Sequence, residues 1–193
     1  MARYGAQPMK DPTKYFSRED MNRLLAAIPD KHKLLIYVLA KSGRRISEIT
    51  RCLKPRDINF DENLINYTIL KRKVPAKMLL PADPDMVRRL RSYIKSRNIG
   101  EDTHIFTLSR QRVDQLLKIA AENIGLKDAH AHMFRHTFAI RSAQELQSPA
   151  HLVELKDLLG HASIDTTMFY LRFNPKTQRS LLKRLWKSPE EAQ

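Results

Sequence analysis

Leu159-Gly160-His161-Ala162-Ser163-Ile164-Asp165-Thr166-Thr167-Met168-Phe169-Tyr170 sets a histidine nine residues before a tyrosine, directly after a leucine–glycine pair. A glycine beyond an apolar run reads as a helix end, so a helix is expected over about 149–159 and another over 165–171. Taken alone, the stretch has an ordinary explanation, with Leu159-Gly160 as a helix terminus and Tyr170 as a core aromatic. Two further segments stand out. Gly43-Arg44-Arg45-Ile46-Ser47-Glu48-Ile49 puts an arginine at a helix start beside a glycine turn, and His132-Met133-Phe134-Arg135 spaces a histidine and an arginine three apart. At that spacing the two side chains share one helix face.

The histidines invite a metal hypothesis, because His130, His132 and His136 lie at spacings that can converge on zinc. No cysteine or carboxylate joins them, and Arg135 puts a fixed cation in their midst. The preferred reading makes His130 and His136 capping or core groups, with His136 in a position to buttress its neighbours, and assigns no metal and no other cofactor.

Around these segments the pattern is mainly helical with a short change of period. Ser17 caps a first helix with Leu24, Leu25 and Ile28 on its apolar face. Asp30 caps a second that Ser42-Gly43 breaks, and a third runs from about Ile46 to Leu53, where Pro55 stops it. Ile58–Phe60, Leu64–Leu70 and Lys77–Leu80 then read as three short strands, joined by 61–63 and by 72–75. Pro84 after Asp83 opens the next helix, Ser109 caps another that Gly125 ends, and helices follow at about 133–146, 149–159, 165–171 and 177–187. The expected fold is mainly α with a small antiparallel three-stranded sheet (α+β). Residues 1–16 are expected to form a flexible arm, 17–187 one domain including the C-terminal helix, and 188–193 a tail.

The 193 residues, 42% hydrophobic and 29% charged, suit one domain with a full core. No apolar run approaches membrane-spanning length, the N-terminus shows no secretory signal, and the single cysteine, Cys52, excludes an internal disulfide framework. These features point to the cytoplasm. Lys plus Arg number 35 against 21 acids, a net charge of +14, which predicts a polyanionic partner, with nucleic acid first. The excess is uneven: 71–97 holds nine basic residues against two acids, and 98–170 is nearly neutral.

Together and in this order, the three segments resemble the signature boxes of the tyrosine recombinase (phage integrase) family. The resemblance runs from about Ser17 to Leu182, and its last box matches over the twelve positions 159–170. Position by position, it makes Arg45 and Arg135 the active-site arginines. His132 becomes the central histidine, His161 the residue that is His or Trp in the family, and Tyr170 the nucleophile. Glu48 becomes a supporting acid. The family also places a lysine near the hairpin between the second and third strands, where Lys71, Lys73 and Lys77 compete. Lys71, at the end of the apolar strand, is preferred, although Lys73 fits the commoner spacing back from Pro81.

The chemistry explains these residue types. A tyrosine that attacks a phosphodiester stores the bond as a 3′-phosphotyrosyl ester and releases a 5′ hydroxyl. Two permanently protonated, planar guanidinium groups, from Arg45 and Arg135, clamp the charge that builds on the nonbridging oxygens. His132 accepts the Tyr170 proton or donates to the phosphate. The resemblance implies that His161 adds a hydrogen bond to a phosphate oxygen and that Lys71 protonates the departing 5′ oxygen. The ester conserves the bond, so neither ATP nor a metal is needed.

The resemblance further implies double-stranded DNA as substrate, four protomers on two DNA sites, accessory DNA-bending proteins, and a C-terminal segment that docks on a neighbouring protomer. Leu181, Leu182, Leu185 and Trp186 form an apolar stripe that suits docking in trans or packing in cis. The protein is expected to lack the separate N-terminal helical domain of most such recombinases, either like the short invertases of fimbrial genes or as a fragment of a longer chain. Fewer phosphate contacts then predict weak, salt-sensitive binding. Two other readings are a non-cutting DNA-binding modulator of a recombinase and a type IB topoisomerase. The full set of site residues counts against the first, and the 159–170 box and short length count against the second.

Overall fold

In a computed structural model, the residues described are 15–70, 74–127, 129–146, 150–160 and 167. Seven helices are defined among them: α1 (Arg18–Ala27), α2 (Asp30–Ser42), α3 (Ile46–Thr50), α4 (Pro84–Ser96), α5 (Arg110–Asn123), α6 (Ala131–Gln144) and α7 (Ala150–Leu159). Between α3 and α4 lie a 3-10 turn (Pro55–Asp57) and strands β1 (Ile58–Asn59), β2 (Leu64–Ile69) and β3 (Ala76–Pro81). The strands form one antiparallel sheet in the order β1-β2-β3, with Ile65 opposite both Ile58 and Leu80. This is the expected fold class. No helix among the described residues is long and apolar enough to cross a membrane.

Helix starts follow local chemistry. The Ser17 hydroxyl accepts from the Asp20 backbone N–H, the Asp83 carboxylate from that of Met86, and the Ser109 hydroxyl from that of Arg112. Each satisfies a donor that the first turn leaves without a partner. Where boundaries differ from expectation, a distant contact decides. Helix α3 stops at Thr50 rather than Leu53 because the Leu53 carbonyl accepts from Ile105 N, 3.1 Å away. Helix α6 begins at Ala131, two residues early, because Asp114 of α5 accepts from Ala131 N at 2.8 Å. Asp30 is the first residue of α2 rather than its cap, paired with Lys33 at 2.7 Å. Pro55 opens the 3-10 turn instead of merely ending a helix.

The inner faces meet in one main core. Leu24 of α1, Ile36 and Leu39 of α2, Ile49 of α3, Leu90 of α4, Val113 and Leu117 of α5 and Phe134 of α6 are buried there. The sheet contributes Ile65, Tyr67 and Ile69, every second residue of β2, as strand geometry requires. A smaller cluster joins Ala139, Ile140 and Ala143 of α6 to Leu155 and Leu159 of α7. Phe16, the last residue of the expected arm, is buried against Phe134, and its N–H donates to Thr137 Oγ1 at 3.0 Å. The expected helix at 177–187 and the tail lie outside the described residues, as does most of 165–171. Thr167 is helical and buried.

Gly43 makes the turn from α2 into α3 possible. Its φ is +60°, and a Cβ there would sit 2.4 Å from the ring of Phe138 on α6. Both the left-handed backbone and the ring exclude a side chain. Gly43→Ala is expected to cost about 3 kcal/mol, seen as a lower urea midpoint at an unchanged slope.

Candidate active site

Arg45 lies immediately before α3 and is held by Glu48 one turn later. Its Nη1 donates to Glu48 Oε1 at 2.8 Å, and its backbone N–H donates to Oε2 at 3.1 Å. Glu48 is fully buried, so one carboxylate both caps the helix and fixes the guanidinium, while Arg45 stays half-buried. This is the supporting position the sequence suggested for Glu48.

Arg135, on the buried side of α6, ties distant parts of the chain together. Nη1 donates to the Gly43 carbonyl at 3.0 Å and Nη2 to the Leu159 carbonyl at 2.6 Å. The first bond reaches the turn that carries Arg45, and the second reaches the end of α7, two residues before His161. His132 lies one turn before Arg135, its ring meeting that of His136 edge-on at 4.5 Å between centroids. His136 therefore packs directly against His132. His130 precedes α6 without capping it through its side chain.

His132 keeps one face open to solvent, yet its pKa falls below the ordinary histidine value, to about 3. Packing of the ring is the first cause, followed by the positive charges of His136, Arg135, His130 and Arg45. Water at the open face screens part of this. The direction makes the ring neutral at pH 7, as a proton acceptor must be. Burial likewise lowers the His136 pKa. Near pH 7.5 neither the folded nor the unfolded chain protonates these rings. As pH falls through about 6.5, the unfolded chain takes up protons that the folded chain refuses, so stability declines. The urea midpoint is expected to be lower at pH 5.5 than at pH 7.5, with His132→Asn reducing the difference.

Arg45, His132 and Arg135 are thus brought together by α3 and α6. Lys71, His161 and Tyr170 lie outside the described residues, but residues beside two of them meet. A Cβ on Gly160, directly before His161, would lie 3.4 Å from Ile69 of β2, two residues before Lys71, and 3.5 Å from Arg44 Nη1. Of the competing lysines, Lys77 is engaged by Asp57 at 2.6 Å, and Lys73 is outside the described residues. Two contributors escaped sequence reasoning. Asp114 caps α6 from 17 residues away, a distance that leaves no local signal. Arg44 is buried over the ring of Tyr67, its guanidinium carbon 5.4 Å from the centroid, whereas the doublet Arg44-Arg45 reads as surface charge.

The model of the phage integrase family matches residues 14–177. The tyrosine recombinase XerC of Xanthomonas axonopodis pv. citri is 31% identical over 147 residues, covering 72% of this chain and 46% of that protein. The tyrosine recombinase XerA of Pyrococcus furiosus is 26% identical over 183 residues, covering 89% and 61%. The chain therefore spans roughly half the length of these relatives. Among solved structures, the Tn1549 transposon integrase in complex with a circular intermediate DNA superposes with a TM-score of 0.72 at 18% identity, over 92% of this chain and 67% of that one. With most of its length matched by the family model and its fold shared with a family structure, this chain belongs to the phage integrase family of tyrosine recombinases.

Proposed function

We propose that this protein is a site-specific DNA recombinase that cuts and rejoins strands through a 3′-phosphotyrosyl ester at Tyr170. The observation that carries the reading is the gathering of Arg45, Arg135 and a neutral His132 around the junction of α3, α6 and the end of α7. Two guanidinium groups beside a neutral imidazole suit a phosphate whose charge grows while a phenol loses its proton. The DNA-bound state of the Tn1549 integrase, which shares the fold, and the net charge of +14 support duplex DNA as the partner. His161 completes the phosphate contacts and Lys71 protonates the leaving 5′ oxygen. Exchange of strands between two duplexes requires two sites, each bound by two protomers, and hence a tetramer on DNA.

Covalent trapping tests this. A binding site is selected from a random duplex library and nicked just downstream of the cleavage position, so that the short fragment bearing the released 5′ hydroxyl diffuses away and the ester persists. The expected result is a protein–DNA adduct that survives denaturing electrophoresis and forms in EDTA. Binding without any adduct supports the non-cutting modulator, and relaxation of supercoiled plasmid without sequence preference supports the topoisomerase.

A further inference from the structure

We propose that Arg44 is a positioning residue for the DNA phosphate: a buried cation with no hydrogen-bonded counter-charge among the described residues of the free protein, which gains a further counter-charge when a backbone phosphate seats on Arg45 and Arg135. The inference rests on the function proposed above and adds a residue to it.

Arg44 is 1% exposed, and among the described residues none of Nε, Nη1 and Nη2 has a hydrogen-bond partner. Tyr67, whose ring lies beneath it, is also buried and cannot offer a negative charge, because burial raises the phenol's pKa. The nearby carboxylate, Glu48, gives both oxygens to Arg45. Burial works against the charge on Arg44; the nearby Glu48 offsets part of that without bonding to it, and the neighbouring Arg45 adds to the opposition. Arg44, Arg45 and Arg135 thus bring three permanent cations to one region against the single carboxylate of Glu48, with His132 and His136 neutral. A charge left this way in the interior is strongly destabilising, and an apolar side chain of the same length would fill the space without that cost.

Nothing in the local fold demands a cation at this position. Arg44 follows Gly43, whose carbonyl holds Arg135, and precedes Arg45, while its own Nη1 lies against Gly160 at the entry to the 159–170 box. It sits behind the phosphate-binding arginines and is closed to solvent, so it acts through its field rather than by contact. In a low-dielectric interior such a field persists over several ångströms and favours an anion whose charge increases during reaction.

Arg44→Met removes the charge at similar length, and Arg44→Lys keeps it. The free Met variant is expected to melt about 5 °C above wild type, and the Lys variant not to. A short random-sequence DNA duplex is expected to raise the wild-type melting temperature by about 2 °C more than that of the Met variant. On the nicked substrate, adduct formation should slow about tenfold in Arg44→Met and stay within about threefold of wild type in Arg44→Lys. Replacing the reacting phosphate by an uncharged methylphosphonate should erase the difference between wild type and Met. A Met variant that melts at or below wild type shows the guanidinium to be already satisfied and overturns the inference. So do equal DNA-induced shifts, or a loss that persists on the methylphosphonate, which marks a structural role. If wild type forms no adduct on any DNA, the recombinase reading fails, and the two melting comparisons still decide the case of Arg44.

Discussion

Tyr170→Phe is expected to leave the protein bound to DNA and unable to join to it. The substitution removes one oxygen and keeps the ring. Without that oxygen no ester forms at this residue. Loss of a covalent nucleophile costs at least about 10⁴ in rate, so adduct on the nicked substrate should fall below detection. Affinity for the same duplex, measured by gel shift at fixed salt, should change by no more than about threefold, because phosphate contacts by basic side chains dominate binding. Adduct formation by the Phe variant would move the nucleophile elsewhere. The phenols of Tyr37 and Tyr67 are poor substitutes: Tyr67 is buried in the core, and Tyr37 donates its proton to Asp85 at 2.9 Å.

Arg135→Ala is expected to fail twice, in the fold and in the chemistry. The guanidinium bridges the Gly43 and Leu159 carbonyls, 92 and 24 residues away in sequence. Alanine leaves both carbonyls buried without a donor and opens a cavity beside the small α6–α7 cluster. Together these cost about 3–5 kcal/mol, which lowers the melting temperature by about 10 °C in a chain of this size. The adduct rate measured below the new transition falls by a further 10²–10³, roughly the worth of one charge-stabilising donor. Arg45→Ala separates the two effects. Arg45 is half-buried and makes no bond to a distant element among its described contacts, so its loss strips Glu48 of its partner but spares the α6–α7 junction. The two variants should lose comparable rate, with Arg135→Ala melting lower. Equal melting temperatures would show that the carbonyl bridges contribute nothing to the fold.

Helix starts were legible because capping is a contact within three or four residues, as at Ser17, Asp83 and Ser109. The strands were legible because β2 alternates Ile65, Tyr67 and Ile69 inward. Boundaries governed by distant partners were not. Asp114 extends α6, and Ile105 draws Leu53 out of α3. The site was legible as residue types in order, since Arg45 with Glu48, and His132 with Arg135 and His136, are spaced to meet within one helical turn.

Sequence alone determined that Arg45 meets Glu48 and that His132 shares a helix face with Arg135 and His136, because the spacing of side chains along a helix is set by its geometry and needs no knowledge of the rest of the chain. Tertiary structure alone decided that Arg135 spans two carbonyls from distant parts of the chain, and that of two adjacent arginines one stays partly exposed on the buried Glu48 and the other is closed inside over Tyr67. Those outcomes depend on how α2, α6, α7 and the sheet pack against one another, and contacts between residues so far apart in the chain leave no local pattern to read.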